Sequence, residues 1–391
     1  MGFLGVPHAI VRPFRGVFMS EPPALPALTV RAVRATPVEV PANFVLGTSM
    51  GAIRQVPLLL VDVETVEGIA GRSYMFCHMR SVAAAVATLL GEVERVVKGE
   101  TADPPALWAK LMRRFTLIGV QGILRMAISS FDVASWDATA QAAKLPLCRL
   151  LGAEPRPILA YNSCGLGLMD DLGALADEAE KLLTVGNFRA IKLRLGYPSI
   201  AADIAAVDAV RRRIGEEPKL MVDYNQALSV EEALIRGRAL DREDIYWLEE
   251  PIRHDDYPGA VRLSRELKTP LQIGENFSLP FGMAAALEQA KPNYVMPDLE
   301  RIGGVTGWRE AAKLAAVNRV PMSSHLFPEV SAHLLAATPT CHYLEYVDWA
   351  DVLLEEPLRI RDGHAVISER PGNGMVWNEG AVARYRIGEP R

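Results

Sequence analysis

The sequence predicts an α/β protein in which a (β/α)₈ barrel follows a smaller α+β domain. The chain has 391 residues, more than one ordinary compact domain needs. Half of the residues are hydrophobic and 23% are charged, a composition typical of globular proteins with large cores. From about residue 157 onward, short apolar runs alternate with longer amphipathic segments, as strands and helices do in α/β folds.

The first domain is expected to span residues 28–156. Alternating apolar residues predict strands that begin near Leu28 and near Pro57. Helical periodicity then predicts a helix over residues 82–98 and a second helical stretch over residues 106–144, which glycines interrupt. Strands followed by helices are typical of an α+β domain.

Residues 1–27 precede this domain and are predicted to form a loose N-terminal arm. The segment carries Arg12 and Arg15 and has no acidic residue before Glu21, which is one mark of a targeting peptide. It lacks a continuous apolar stretch and a small-residue cleavage site, and prolines interrupt its end. A loose arm or an overlong start is therefore the preferred interpretation, and a targeting peptide is the alternative.

The barrel is expected to span residues 157–358 and to contain eight strands. The apolar runs that predict these strands are residues 158–161, 190–193, 220–223, 245–248, 271–273, 294–296, 320–323 and 342–345. Helical patterns lie between them, and Ser229 followed by Glu232 is a capping-box signal. Eight alternations favour a barrel over an open doubly wound sheet, since no GxGxxG motif follows a strand. Residues 359–391 are β-like and are expected to return to the first domain.

Composition disfavours several classes of function. Lys and Arg number 42 against 47 Asp and Glu, so the net charge of -5 offers no basic excess for nucleic acid. No apolar run reaches the roughly 20 residues that span a membrane. The four cysteines, which form no CxxC pair, indicate neither a disulfide scaffold nor a thiolate zinc site. A cytoplasmic protein with a small-molecule partner, and no nucleic-acid or membrane partner, is expected.

Polar side chains follow nearly every predicted barrel strand. They are Ser163, Lys192, Arg194, Asp223, Asn225, Glu249, Glu275, Asp298, His325 and Glu345. The carboxyl ends of barrel strands converge on one mouth, so these groups are expected to form one site. A single polar residue at a strand end is normally just solvated, but so many of complementary types indicate a functional site.

Asp223, Glu249 and Glu275 end three successive predicted strands. Three carboxylates in one cavity would repel one another unless a cation lies between them. Oxygen ligands without His or Cys favour Mg²⁺, with Mn²⁺ as a possible substitute, over Zn²⁺. Surface salt bridges are the alternative interpretation.

Asp298 and His325 end the next two predicted strands. A carboxylate bonded to one imidazole nitrogen fixes the tautomer and raises the basicity of the other nitrogen, which makes a general base. His333 falls within a predicted helix and His342 within a predicted strand, and both are interpreted as structural.

Longer motifs surround these residues. They are Lys192-Leu-Arg194, Val222-Asp-Tyr-Asn-Gln226, Trp247-Leu-Glu-Glu-Pro251, Ile273-Gly-Glu-Asn276, Met296-Pro-Asp298, Ile302-Gly-Gly-Val-Thr-Gly-Trp308, Ser323-Ser-His-Leu-Phe327 and Ser331-Ala-His-Leu-Leu-Ala-Ala-Thr-Pro-Thr340. Together they resemble the mandelate racemase branch of the enolase superfamily, over almost the whole chain from about Leu28. The resemblance implies a modified (β/α)₈ barrel under an α+β capping domain that the C-terminal segment completes. It also implies a symmetric homo-oligomer.

The resemblance further implies a reaction. Members of this family hold Mg²⁺ through three strand-end carboxylates, here Asp223, Glu249 and Glu275, and abstract the proton α to a carboxylate. The family's base pair corresponds to His325 and Asp298.

Three further residues are placed around the substrate by the same resemblance. Glu345 and Lys192 correspond to the family's contacts to the substrate carboxylate, and Ser163 to a serine near the substrate. Removal of an α-proton creates a dianionic enediolate, which Lewis-acid and hydrogen-bond donors must stabilise. Burial is expected to keep Glu345 protonated so that it can donate. Asn225 and Glu250 are expected to orient the groups around the metal, with a plain structural role as the alternative for Glu250.

Arg194 departs from the family pattern, because it stands where the family has a second lysine base. Arginine stays protonated under conditions in which a buried lysine can lose its proton. A single efficient base, His325, favours dehydration of a 2-hydroxy acid, with Arg194 as an electrostatic clamp. The alternatives are a racemase or epimerase with Arg194 in the second-base position, another enolisation, and a non-catalytic metal-binding paralogue.

A flap over the site corresponds to residues 44–53 by the same resemblance. Its apolar residues Leu46, Met50 and Ile53 favour a substrate with a hydrophobic part, unless they pack only on protein. His78 stands at an aromatic pocket position of the family, so the pocket is expected to be more polar than one for mandelate.

Overall fold

A three-stranded antiparallel sheet begins the first domain. The computed structural model describes residues 27–48 and 51–388, so the predictions for the N-terminal arm and for Met50 lie outside the described residues. The strands, in spatial order, are β1 (Val30–Thr48), β2 (Gly51–Thr65) and β3 (Ala70–Phe76). Alternate β2 side chains enter two different cores. Leu59 and Val61 pack with the helices of this domain, whereas Leu58 and Leu60 join the core that extends through the barrel.

Four helices complete this part of the chain. They are α1 (Arg80–Val97), α2 (Pro104–Arg114), α3 (Gly122–Ala142) and α4 (Leu147–Leu150). Asp103 caps α2 by accepting a hydrogen bond from the backbone N–H of Ala106, and Pro104 suits the first helical position. The interior of α3 is buried on all sides because the helix lies between the sheet and the barrel helices.

A ring of parallel strands forms the second domain. The strands are β4 (Ile158–Asn162), β5 (Ala190–Arg194), β6 (Lys219–Asp223), β7 (Ile245–Glu249), β8 (Leu271–Ile273), β9 (Tyr294–Val295) and β10 (Leu344–Tyr346). β4 through β9 pair in sequence order, and β10 returns to pair with β4. The predicted strand 320–323 is reduced to single bridges, in which Met322 pairs with Val295 on one side and Cys341 on the other.

Helices alternate with the strands of the ring. They are α5 (Leu172–Thr184), α6 (Ile200–Ile214), α7 (Val230–Leu240), α8 (Tyr257–Glu266), α9 (Leu279–Gln289), α10 (Leu299–Ile302), α11 (Gly304–Asn318) and α12 (Pro328–Ala336). Ser229 caps α7 as predicted, by accepting from the N–H of Glu232. The return bond of a capping box is replaced by an ion pair between Glu232 and Arg236.

Aromatic side chains fill the barrel interior below the strand ends. Tyr161 and Trp247 meet edge to face with ring centroids 5.3 Å apart, and Tyr343 packs against both. Side chains alternate along a strand, so Trp247 and Glu249 share the inward face of β7. The packed aromatic layer makes the interior a solid core and leaves the polar groups at the mouth above it.

The C-terminal segment contacts both domains. β11 (Arg359–Arg361) and β12 (His364–Val366) form a hairpin that adds antiparallel to the start of β4, an addition that the sequence did not predict. The chain then reaches the first domain, where Trp377 Nε1 donates to Asp62 Oδ1 at 2.9 Å, and ends with α13 (Glu379–Tyr385). The predicted fold, a modified (β/α)₈ barrel with an α+β capping domain completed by this segment, is confirmed.

The described part of the chain also bears on two expectations from composition. Cys77, Cys148, Cys164 and Cys341 are all free thiols. None of the helices within residues 27–48 and 51–388 is both long and apolar enough to cross a membrane.

Gly71 marks the closest approach of β3 to α3 and provides a test of this packing. A Cβ atom there would lie 1.9 Å from the carbonyl oxygen of Ala134, so Gly71→Ala is expected to destabilise the protein by about 1–3 kcal/mol. Gly91 lies on the exposed face of α1, and a Cβ atom added there would have no atom within 4 Å. Gly91→Ala is therefore a control that should stabilise by about 1 kcal/mol. The measurement is the urea midpoint, and equal shifts for both variants would contradict the packing.

Candidate active site

Strand register brings the charged strand ends into one region. Arg194 is the Cα partner of Asp223 between β5 and β6, and Asp223 is the partner of Glu249 between β6 and β7. All three side chains are buried. Because these strands are parallel, their carboxyl ends lie side by side at the mouth of the barrel.

Lys192 lies at the centre of the buried charges. Its ammonium forms ion pairs with Glu249, with Glu345 Oε1 at 2.8 Å and with Asp223 Oδ2 at 3.4 Å. The face of the Tyr161 ring lies 5.6 Å below it. Burial lowers the pKa of Lys192, but the three carboxylates outweigh burial and raise the pKa above its usual value. Lys192 is thus a fixed cation in this structure.

Glu275, the third predicted metal ligand, contacts His325 in this structure. Its Oε2 lies 3.3 Å from Nε2 of His325, and Asn276 donates to its Oε1 at 3.0 Å. Within the described residues, no group of three metal-ligating side chains forms a ready cation cage. The cation that separates Asp223 from Glu249 here is the ammonium of Lys192, and the metal role of the three carboxylates stays a prediction.

Two residues that the sequence analysis missed hold Glu249. Trp247 Nε1 donates to Glu249 Oε2 at 2.9 Å, and the Gln272 amide lies 3.5 Å from the same oxygen. The strand patterns contained the information needed to identify both residues. Trp247 lies two residues before Glu249 on the same face, and Gln272 is its register partner on β8.

Glu345 is held as a carboxylate, which corrects the expectation that it is protonated. Lys192 lies 2.8 Å from Oε1, Ser163 Oγ donates to Oε1 at 2.8 Å, and the N–H of Leu326 donates to Oε2 at 2.8 Å. Burial raises the pKa of Glu345, but Lys192 and His325 together lower it well below its usual range. Burial alone predicted a neutral acid, and the neighbouring cation reverses that prediction.

His325 and Asp298 form the predicted pair. His325 Nδ1 lies 2.6 Å from Asp298 Oδ2, and 13% of the His325 side chain is exposed at the mouth. Burial lowers the pKa of His325, but Glu345, Glu275 and Asp298 raise it to about 9. In this arrangement His325 is an imidazolium, and Nε2 faces Glu275.

Asp298 is oriented by groups on α10. Its Oδ1 accepts from the N–H groups of Glu300 at 2.9 Å and Arg301 at 3.1 Å, which leaves Oδ2 for His325. Arg301 Nη1 lies 3.4 Å from Asp298 Oδ2 and donates to the carbonyl of Glu275 at 3.2 Å. Sequence analysis missed Arg301. A basic residue three positions after a strand-end aspartate, on a short helix, was the available signal.

Arg194 points into the loop that follows β4. Its Nη1 donates to the carbonyls of Gly165 at 2.8 Å and Ser163 at 3.1 Å, and its Nη2 donates to Ser163 Oγ at 2.7 Å. Both terminal nitrogens of its guanidinium are therefore occupied by protein acceptors, whereas Nε is buried without a hydrogen-bond partner among the described residues. Its predicted role as an electrostatic clamp on the substrate stays a prediction.

The oxygen donors at the mouth suit a hard divalent cation. Asp223, Glu249 and Glu345 bring three formal negative charges against the single charge of Lys192. Burial, with Asp223 and Glu345, raises the pKa of Glu249 although Lys192 opposes the shift. Among the described residues, buried Asn225 Oδ1 and Glu250 Oε2 accept no hydrogen bond. An added cation would balance the excess negative charge, and its water would donate hydrogen bonds to these two oxygens.

Asn225 is hydrogen-bonded to the Asp223 carboxylate, and Glu250 to the backbone at the end of β8. Asn225 donates to Asp223 through its backbone N–H at 2.7 Å and through its side chain at 3.0 Å. Glu250 Oε1 accepts from the N–H of Gly274 at 2.7 Å. Asn225 thus orients Asp223, and Glu250 ties the end of β7 to the end of β8.

The predicted pocket wall is packed against protein in this structure. Leu46 is 4% exposed and is the register partner of Ile53, and both belong to the core that extends through the barrel. His78 lies exposed beside Phe76, with ring centroids 4.1 Å apart. Contact of these residues with a substrate stays a prediction.

The two histidines interpreted as structural have protein partners away from the mouth. His333 Nδ1 accepts from the N–H of Cys148 at 3.2 Å, and His342 lies between Tyr246 at 2.9 Å and Ser323 at 3.1 Å. Burial lowers the pKa of both to about 4, so both are neutral at pH 7.

Family sequence profiles match most of the chain. Residues 30–152 match the mandelate racemase/muconate lactonizing enzyme N-terminal domain, and residues 174–381 match the enolase C-terminal domain-like family. The chain belongs to the mandelate racemase/muconate lactonizing enzyme family. The resemblance identified from the motifs is therefore confirmed, and the protein is a metal-dependent acid–base enzyme of the lyase or isomerase type.

Relatives within this family catalyse different net reactions. The chain is 30% identical to 3,6-anhydro-alpha-L-galactonate cycloisomerase of Streptomyces coelicolor, over 86% of this chain and 94% of that protein. It is also 30% identical to L-talarate/galactarate dehydratase of Salmonella typhimurium, over 84% of this chain and 82% of that protein. A solved enolase structure from Bradyrhizobium, complexed with magnesium and mandelic acid, is 36% identical with a TM-score of 0.89. The match covers 93% of this chain and 100% of that chain.

In protein free of divalent cations, His325 is expected to titrate near pH 9. Burial opposes the imidazolium, but Glu345, Glu275 and Asp298 outweigh it. This raised pKa stabilises the folded protein. The contribution is complete below the ordinary histidine pKa of about 6.5 and is lost as the pH rises through about 9. The measurement is a ¹H–¹³C NMR titration, with His325→Asn to assign the signal. Asp298→Asn should lower the pKa of His325. An ordinary histidine pKa in the wild type would contradict the arrangement of carboxylates around His325.

Proposed function

We propose that the protein is an Mg²⁺-dependent enzyme that removes the α-proton of a 2-hydroxy carboxylate and, in net reaction, dehydrates it. The supporting observation is that one histidine base and one fixed cation lie at the same mouth, around the shared carboxylate Glu345. His325, paired with Asp298, faces the mouth, while Lys192 lies among the carboxylates on the neighbouring strands. Arg194, in the second-base position, donates to loop carbonyls instead.

Asp223, Glu249 and Glu275 are the proposed magnesium ligands. Magnesium is present in the related Bradyrhizobium structure, and the charge excess at the mouth of this barrel suits a divalent cation. When bound, Mg²⁺ supplies Lewis-acid stabilisation of negative charge on the substrate carboxylate. The metal identity is open to Mn²⁺ as a substitute.

His325 accepts a proton only when its imidazole is neutral. Glu275 and Glu345 are two of the carboxylates that raise its pKa, and Glu275 Oε2 lies 3.3 Å from Nε2. If Glu275 held a cation, it would stabilise the imidazolium less, so the pKa of His325 would fall and Nε2 would accept the α-proton more readily. Asp298 keeps the proton on Nδ1 throughout.

Dehydration needs no second base. His325 Nε2 takes the α-proton and the C–H electron pair enters the enediolate. The enediolate then expels the β-hydroxyl as that group receives the same proton from Nε2, so water leaves and an enol remains. The enol tautomerises to the keto acid. Lys192 stabilises negative charge on the substrate carboxylate during these steps.

The substrate class follows from the same groups and from the relatives. The Salmonella relative is a dehydratase named for talarate and galactarate, both acids with several hydroxyl groups. A β-hydroxyl, as such acids carry, is what dehydration requires. The second candidate function is racemisation or epimerisation of an aryl hydroxy acid, which the mandelic acid in the Bradyrhizobium structure favours.

The metal proposal predicts the effect of Glu249→Gln. The variant keeps acceptor and donor atoms for Trp247 and Gln272 but removes one charge, so activity should fall more than roughly 100-fold while the circular dichroism spectrum is unchanged. Glu329→Gln alters a buried acid that accepts from Tyr74, and this control should retain metal dependence. Full activity of wild type after exhaustive EDTA treatment would contradict the proposal.

The single-base proposal predicts one-sided exchange. By family resemblance, the R enantiomer presents its α-hydrogen to His325, so only that enantiomer should exchange in D₂O or lose water. His325→Asn should abolish this exchange. Arg194→Lys should add exchange from the other face, because an amine can be tuned and a guanidinium scarcely can. The measurement is proton NMR of each enantiomer separately. Comparable exchange of both enantiomers by wild type would restore racemase as the first candidate.

A further inference from the structure

We propose that Arg194 is a positioning residue that fixes the β4 loop, residues 163–168, and through it docks the hairpin arm, residues 43–48, beside the site. The inference relies on the proposed function only in placing the substrate at this mouth. The contacts that carry it lie within the protein and do not depend on any metal or substrate.

Arg194 contacts the β4 loop at four points. The guanidinium reaches two backbone carbonyls and the Ser163 hydroxyl, at 2.7–3.1 Å, and its backbone N–H donates to the carbonyl of Leu166 at 2.9 Å. The side chain is 5% exposed. A planar guanidinium can bind several acceptors at fixed angles, whereas a lysine ammonium offers one compact donor group.

The β4 loop has a shape that needs such support. Leu166 has a φ of 54° in the left-handed region, although it is not glycine, and it is fully buried. Its N–H donates to Glu178 Oε1 at 2.6 Å. The loop is therefore held by two charged side chains, the guanidinium of Arg194 and the carboxylate of Glu178.

The hairpin arm docks on this loop through two glycines. Leu168 donates its N–H to the carbonyl of Gly47 at 2.9 Å. A Cβ on Gly47 would lie 2.8 Å from the Leu168 oxygen, and a Cβ on Gly167 would lie 2.1 Å from the Gly47 nitrogen. Such close backbone contact tolerates no change in the shape of the loop.

The contact has consequences at both ends of the loop. At one end, Ser163 receives a hydrogen bond from Arg194 and donates to Glu345, so Arg194 also orients a carboxylate of the site. At the other end, the docked arm carries Leu46 into the core that extends through the barrel. Two further contacts complete the docking: the Asn43 side chain donates to Asp348 at 2.9 Å, and the Lys181 ammonium lies 4.9 Å from the ring centroid of Phe44. Arg194 thus fixes the hairpin arm and an acidic group together.

Amide hydrogen exchange by mass spectrometry on the full chain, without metal or substrate, tests the inference. In Arg194→Met and in Arg194→Lys, exchange in the β4 loop and in the hairpin arm should rise at least 10-fold. Exchange in β6 and α3 should not change. Lysine keeps the positive charge and a similar side-chain length. Equal effects of both variants would therefore show that the loop requires the planar guanidinium with its several donors.

Gly47→Ala is the matched control, since it disturbs docking while Arg194 stays in place. Exchange should rise at Leu168 and in the hairpin arm but not at Leu166, whose partner is Glu178. Wild-type exchange in the arm of both Arg194 variants would overturn the proposal, as would a uniform rise across the barrel. Because no substrate is used, failure of the proposed reaction would leave this result unaffected.

Discussion

The packing of one ammonium among three buried carboxylates is the interaction on which the mouth of this barrel depends. Lys192 is almost fully buried, and a buried lysine without partners would lose its charge. Asp223, Glu249 and Glu345 keep it charged, and Lys192 in turn keeps Glu345 ionised. The charges of Lys192 and Glu345 thus depend on each other, whereas Asp223 and Glu345 raise the pKa of Glu249. These groups form a single electrostatic unit.

This unit explains how one scaffold can serve several net reactions. In the proposed reaction, Lys192 and a metal held by the carboxylates would stabilise an enediolate whatever happens next. The fate of that intermediate would then depend on the groups facing the substrate's other side. A lysine in the position of Arg194 would return a proton there. Arg194 instead binds backbone carbonyls, which is the contact behind the proposal that His325 acts alone.

Much of the fold and part of the site could be predicted from the sequence. The strand ends and the Asp298–His325 pair follow from local patterns, because a strand end fixes where its next polar residue lies. The partners of Lys192 and of Glu275 could not be predicted in this way. Several oppositely charged groups lie within reach of each, and the choice among them depends on distances and burial in three dimensions. The ionised state of Glu345 and the weak seventh strand have the same origin, since both depend on neighbours distant in sequence.

The strand β2 has a consequence for how the protein folds. Its alternate side chains enter two cores, so Leu59 and Val61 are covered by the first domain's own helices, whereas Leu58 and Leu60 are covered through the barrel. A first domain on its own would expose that second row to water, and an exposed apolar sheet face invites association between chains. Both rows of β2 side chains are therefore covered only when both domains are in place.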